Sequence, residues 1–155
     1  MYICNPCTGK YVKIPPPVSM ADQPGDIVVG FGLVPVTHKY KVIAIVDCPE
    51  TSMFNPLQQK GFVYTLGDAS WRFKDNESIL SIGKSASKAF VNGALHWVSN
   101  CASKLIVSFN IASELFGVVP HPQLQLGRGS FSSRVFERQL SILNTSFDAR
   151  IEIGS

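Results

Sequence analysis

The chain has almost no window in which helical periodicity can run its course, because Pro or Gly recurs before most segments reach the ten or so residues a helix needs. With 12 Gly and 10 Pro dispersed along 155 residues, a helical bundle is excluded and short strands become the expected element. Charge is scarce as well: charged residues make up 16% of the chain against 45% hydrophobic, a balance outside the disordered range. The 14 basic and 11 acidic residues stand singly or in pairs, so no basic stripe follows a phosphate backbone and nucleic acid is not an expected partner. Long apolar runs are missing too. The most apolar segment, Ile27 to Val36, is broken by Gly30, Gly32 and Pro35, so no membrane partner is expected. Met1 to Lys10 carries no basic-then-apolar leader. The four cysteines, Cys4, Cys7, Cys48 and Cys101, accordingly read as free thiols in a reducing compartment, cytoplasm or nucleus.

Reactive chemistry is equally thin. Cys4-Asn5-Pro6-Cys7 has the spacing of half a zinc site or of a redox pair, but no second Cys-x-x-Cys or His pair follows, so two small side chains flanking a turn is the economical reading. No metal and no cofactor are expected. His38, His96 and His121 have no visible carboxylate partner, and no nucleophile elbow or paired-acid arrangement occurs, so no catalytic residue is assigned and an enzyme is not expected. His96 alternates with Leu95 and Trp97, which places it on the opposite face of a strand, read here as a polar hairpin face. Gly30-x-Gly32 lacks the third glycine and the following helix of a phosphate loop. Trp71 and Trp97 are expected as core anchors, with a ligand-stacking platform as the alternative.

What the chain does contain is one domain's length of strand and turn signals. Candidate strands are Ile27 to Leu33, Lys41 to Asp47, Gly61 to Leu66, Trp71 to Phe73, Ser87 to Val91, Ala94 to Ser99, Leu105 to Asn110, Leu115 to Val119, Leu140 to Asn144 and Ala149 to Ile153, all rich in β-branched and aromatic residues. Asn92-Gly93 between two of them is the sharpest hairpin signal, since a type I′ turn needs positive φ at both central residues. Four units repeat a pattern of strand, small polar turn and aromatic-led strand. Their aromatics are Tyr11, Tyr40, Trp71 and Phe116, at spacings of about 30, 30 and 45 residues, a range found in propeller repeats.

The same residues resemble the plant F-box associated domain, the kelch-related region that follows an F-box in adaptor proteins of ubiquitin ligases. Asn5-Pro6-x-Thr8-Gly9-Lys10-Tyr11 with Ile14 to Pro17 looks like its opening motif. Gly30-Phe31-Gly32-x-x-Pro35-Val36-Thr37-x-x-Tyr40-Lys41-Val42 looks like its second, with Pro35 where Asp-Pro is usual. Val63-Tyr64-x-Leu66 with Ser70-Trp71-Arg72, then Phe90 to Trp97 around Asn92-Gly93, then Ile106-x-Ser108-Phe109 with Phe116 and Pro120, complete the order. The resemblance implies an all-β, antiparallel, kelch/β-propeller-like fold of repeated hairpins. It covers residues 1–155 as one F-box associated domain fragment, a partial propeller with both ends cut short and without the F-box.

The function it implies is capture of a target protein for an SCF-type ubiquitin ligase, with the Skp-type adaptor and cullin reached only through the missing F-box. A truncated product without independent function and a small-ligand or glycan-binding β module are the alternatives. The expected contact points are the irregular loops Val18 to Asp26, Pro49 to Lys60 and Gly127 to Arg134. Among these Met53, Phe54 and Leu57 are singled out as apolar anchors on a polar loop.

Overall fold

The computed structural model describes residues 1–17, 27–48, 58–74, 82, 88–98, 105–119, 129–146 and 151–154, and these residues are strands and their connections, with no helix among them. They form four antiparallel sheets in chain order. The first holds β1 (Tyr2–Cys4) and β2 (Tyr11–Lys13). The second is a meander of β3 (Ile27–Val34), β4 (Lys39–Cys48), β5 (Gln58–Thr65) and β6 (Arg72–Lys74). The third repeats that meander with β7 (Lys88–Val91), β8 (Ala94–Val98), β9 (Ile106–Asn110) and β10 (Leu115–Val119). The fourth contains β11 (Gly129–Phe136), β12 (Gln139–Ser146) and β13 (Ile151–Gly154). Each later sheet covers a face of the one before it, which makes the described residues an arc of a β-propeller.

Local chemistry explains the hairpins. Three of the turns share one backbone bond: Gly9 N–H donates to Asn5 C=O at 2.9 Å, His38 N–H to Val34 C=O at 2.9 Å, and Glu114 N–H to Asn110 C=O at 2.8 Å. In each, the donor residue is left-handed, with φ of 67°, 52° and 58°. Two residues later comes Tyr11, Tyr40 or Phe116, and each packs on an aromatic of the preceding strand. The pairs are Tyr2–Tyr11 edge-on at 5.9 Å, Phe31–Tyr40 stacked at 5.1 Å, and Phe109–Phe116 tilted at 4.8 Å. Asn5 and Asn110 open their turns by accepting backbone N–H groups on Oδ1, from Cys7 at 2.9 Å and from Ala112 and Ser113 at 3.0 and 2.9 Å. The Trp71 unit departs from this pattern. Its turn is closed by Asp68 N–H donating to Thr65 C=O and by the Tyr64 hydroxyl on Asp68 C=O, with Gly67 at φ 101°. Asn92 and Gly93 have φ of 52° and 74°, as a type I′ turn requires.

Packing follows strand alternation. On the face of the second sheet toward the third, Val28, Ile43, Ile45 and Val63 meet Leu95, Trp97, Val107 and Phe109. The opposite face of the second sheet carries Val42, Ala44, Val46, Phe62 and Tyr64, which pack with Trp71 and with Ile14 and Ile3 from the first sheet's side. Ile82 is fastened to the first of these cores by a two-way bond with Gln59 of β5, through Oε1 at 2.9 Å and Nε2 at 3.0 Å.

Two expectations need correction. The described part of Gly127 to Arg134 is not an irregular loop, because Gly129–Phe136 is strand β11, paired over its whole length with β12. Its turn, Glu137-Arg138, has both residues left-handed, at φ 48° and 62°, and nothing in that dipeptide signals such a turn. His96 is on the face opposite Leu95 and Trp97, but that face is not polar surface: the fourth sheet covers it, and the Ser133 hydroxyl donates to His96 C=O at 3.3 Å. The strands β1 and β2, three residues each, are the two sides of the hairpin expected around Tyr11, although neither stands among the candidate strands.

Candidate protein-binding groove

The first sheet covers only part of the second. Where the cover is complete, Trp71 is buried and its Nε1 donates to Pro15 C=O at 2.7 Å, and Ile14 is fully enclosed. Toward the Pro35–His38 turn the two sheets part and leave a groove of about 350 Å³. Phe31, Tyr40 and Leu66 line it from the second sheet, and Ile3, Cys4, Tyr11 and Val12 from the first, with Asn5, Pro6 and Lys10 at the turn. Alternation along β3 and β4 puts Phe31 and Tyr40 on the same face as half-buried Val29 and buried Val42, so the aromatic pair continues the core out into solvent. Phe31 and Tyr40 are each 42% exposed and Tyr11 is 69% exposed. Aromatic rings held rigid by stacking, backed by a sheet and open to water, are the composition of a protein-contact hot spot. A smaller hollow of about 170 Å³ on the fourth sheet, lined by Val135, Phe136 and Ile142 beside Arg134, has no such stacked pair among the described residues.

The opposite face of the second sheet shows what full closure requires. Gly30 and Gly32 lie on that face: a Cβ at Gly30 would sit 2.6 Å from Leu95 Cδ1 and 3.0 Å from Trp97 Cζ2, and one at Gly32 2.6 Å from Ile111 Cδ1 and 2.8 Å from Phe90 Cε2. Removing two side chains lets the third sheet close on the second, and Trp97 is 0% exposed as a result. At the outer end an ion cluster ties the same two sheets together. Glu114 is reached by Lys41 Nζ at 2.7 Å, Arg72 Nη2 at 2.5 Å and Lys74 Nζ at 2.7 Å, and Lys41 also donates to Ile111 C=O at 3.1 Å. Burial pushes the Glu114 carboxyl up, but hydrogen bonds from Lys41 and Lys74 and the charges of Lys41 and Arg72 outweigh it, so the group is held below its ordinary range. The His96 imidazole is lowered chiefly by burial, against the backbone of Ala89 and Ala94.

Of the residues singled out in the sequence, Asn5, Pro6, Tyr11 and Tyr40 converge on the groove. Gly30, Gly32, Trp97 and Phe116 belong to the interface between the second and third sheets, Trp71 to that between the first and second, and Asn92 and Gly93 to the β7–β8 turn. Met53, Phe54 and Leu57 lie outside the described residues, as do Val18 to Asp26 and His121. Trp71 and Trp97 offer no open ring face, so the stacking platform for a sugar or small ligand is not built from them. Phe31 was quoted only as part of a motif. Its role in the groove shows in the alternation Val29, Phe31, Leu33, but only once the cover on that face is known to be partial. Cys4 and Cys7 are free and exposed. Among the described residues no three His, Cys, Asp or Glu side chains gather as a metal site, and no helix is long and apolar enough to cross a membrane.

The sequence model of one protein family, described as the F-box associated beta propeller domain, matches residues 1–146. No match was found among the curated proteins.

Proposed function

The chain belongs to the F-box associated β-propeller family, and from that premise we propose that it is the substrate-recognition region of an F-box protein in an SCF-type ubiquitin ligase. The observation that carries this reading is the groove, whose stacked Phe31–Tyr40 pair lies open to solvent beside a buried core. A propeller of this kind contributes effective concentration: it holds a target protein within reach of the ubiquitin-carrying subunit. No bond-making group is asked of it. The Skp-type adaptor and cullin would be engaged through an F-box, which is not among these residues, and the place of action would be cytoplasm or nucleus.

The test joins the chain to an F-box and reconstitutes it with adaptor, cullin and ubiquitin-charging enzymes. Proteins retained by the wild-type chain should acquire ubiquitin, and the double substitution Phe31→Ala, Tyr40→Ala should abolish both retention and modification. Retention without any ubiquitin transfer would defeat the ligase reading, and equal retention by the double variant would defeat the groove.

A further inference from the structure

The face of the second sheet that floors the groove already receives one proline-rich segment, the chain's own. Past β2 the chain runs through Ile14, Pro15, Pro16 and Pro17. Successive prolines, each with its φ fixed and no N–H, hold a backbone extended and leave its carbonyls unpaired within the segment. The fold meets that segment with aromatic side chains. Ile14 shares a core with Val42, Tyr64 and Trp71, Pro17 is fully buried, and Trp71 Nε1 donates to the Pro15 C=O at 2.7 Å. Trp71 is itself packed on Tyr64, with ring centroids 5.4 Å apart. On this face, then, a proline carbonyl is held by an aromatic pair that bears a donor.

The Phe31–Tyr40 pair repeats that provision at the open end of the same face. Val42 lies opposite Tyr64, and two residues further on Leu66 N–H donates to Tyr40 C=O at 2.9 Å, so Tyr40 and Leu66 continue the row that Tyr64 begins. The Tyr64 hydroxyl is already committed to Asp68 C=O, whereas among the described residues the Tyr40 and Tyr11 hydroxyls and the Lys10 ammonium have no partner. Asn5 Oδ1, the acceptor of that amide, is taken by Cys7 N–H. Among the described residues no carboxylate lines the groove. It offers apolar ring surface, hydrogen-bond donors and one positive charge.

We propose that the groove takes a proline-rich segment of the captured protein in the polyproline II conformation, with an acidic residue at its flank, an inference that rests on reading the groove as the protein-binding site. The prolines lie on Phe31 and Tyr40, the Tyr40 and Tyr11 hydroxyls donate to carbonyls of the segment, and Lys10 meets the acidic side chain. Complementarity selects this occupant. A polyproline II backbone makes no internal hydrogen bonds and presents carbonyls with few N–H groups, which matches a groove rich in donors and poor in acceptors. A helix satisfies its backbone internally and has no use for those donors. A sugar, whose every hydroxyl is also a donor, finds no carboxylate to receive it. Such a segment also arrives already extended, so little ordering entropy is lost on its capture.

The experiment selects random dodecapeptides displayed on phage against the full chain, then measures the strongest binder, resynthesised with a fluorescent label, by anisotropy. Enriched sequences should carry prolines three residues apart, the period of the polyproline II helix, beside an acidic residue. Replacing those prolines by alanine should weaken binding about tenfold. Tyr40→Phe, which removes the hydroxyl and keeps the ring stack, should weaken it about fivefold without moving the unfolding transition, as loss of one hydrogen bond implies. Lys10→Glu should weaken it as well, and indifference to that change overturns the acidic flank. Binders without proline periodicity that are lost with Tyr40→Ala overturn the polyproline reading and leave a protein-binding groove standing. Full binding by Tyr40→Phe overturns the donation to segment carbonyls. Failure to enrich any peptide, or binding indifferent to Tyr40→Ala, overturns the proposal and the groove together.

Discussion

The second sheet has two faces, and they are built on different plans. The face toward the third sheet gives up side chains: Gly30 and Gly32 let Trp97, Leu95 and Phe90 approach the backbone, and the outer margin is fastened by Glu114 with its three cations. The face toward the first sheet carries large side chains from Val42 and Phe62 out to Phe31 and Tyr40, and is enclosed only in part. Both faces carry similar alternating apolar sequence. The difference lies in what is stacked on them, so the same kind of strand serves as cement on one side and as a contact surface on the other.

The largest expected effect belongs to the closed face. Trp97→Ala should cost about 3–5 kcal/mol in a denaturant titration, the range for emptying a buried aromatic site, whereas Trp71→Phe on the other face should cost only about 1 kcal/mol, mainly its bond to Pro15 C=O. Similar costs for the two would erase the contrast. Next comes Gly30→Ala, expected to destabilise by about 1–3 kcal/mol because its methyl would lie within 2.6 Å of Leu95 Cδ1. A neutral result would show that the sheets are less tightly apposed than the geometry states.

Acid should act on the closed face through Glu114 and, one sheet further on, beneath the fourth sheet through His96. Glu114 and His96 both have folded-state values below their ordinary 4.5 and 6.5, so each contributes stability that is complete above its ordinary value and lost as pH falls through the lowered one. Stability measured against pH should therefore decline in two stages. His96→Leu should remove the stage that begins near 6.5, and Glu114→Gln the stage that begins near 4.5. Glu114→Gln should cost about 1–2 kcal/mol at neutral pH, reduced by the exposure of Arg72. The smallest stability effect is expected at the groove: Tyr40→Ala should cost no more than about 1 kcal/mol, the worth of an exposed stacked pair. A much larger loss would mean that the pair is structural cement and not contact surface.

Most of the strands could be read from composition, and the repeat could be read from turn chemistry. Asn5, Asn110 and the Asn92-Gly93 pair announce their turns because their own side chains or their freedom at positive φ create them. His38, Glu114 and Glu137-Arg138 adopt the same left-handed backbone without such a signal, and the Gly- and Ser-rich sequence of β11 reads as an irregular segment. Glu114 illustrates the limit best. In sequence it is a polar turn residue, while in the fold it anchors Lys41 from 73 positions earlier.

What the sequence by itself determined is the β class, the hairpins and the family, because alternation, turn propensity and motif order act over a few residues at a time. Which aromatics are core and which are surface was decided by tertiary structure alone. Phe116 and Tyr40 each stand second in their strand, yet their burial depends on how far a sheet distant in the chain extends over them. The groove exists because one such cover stops short, and no local pattern records where a neighbouring sheet ends.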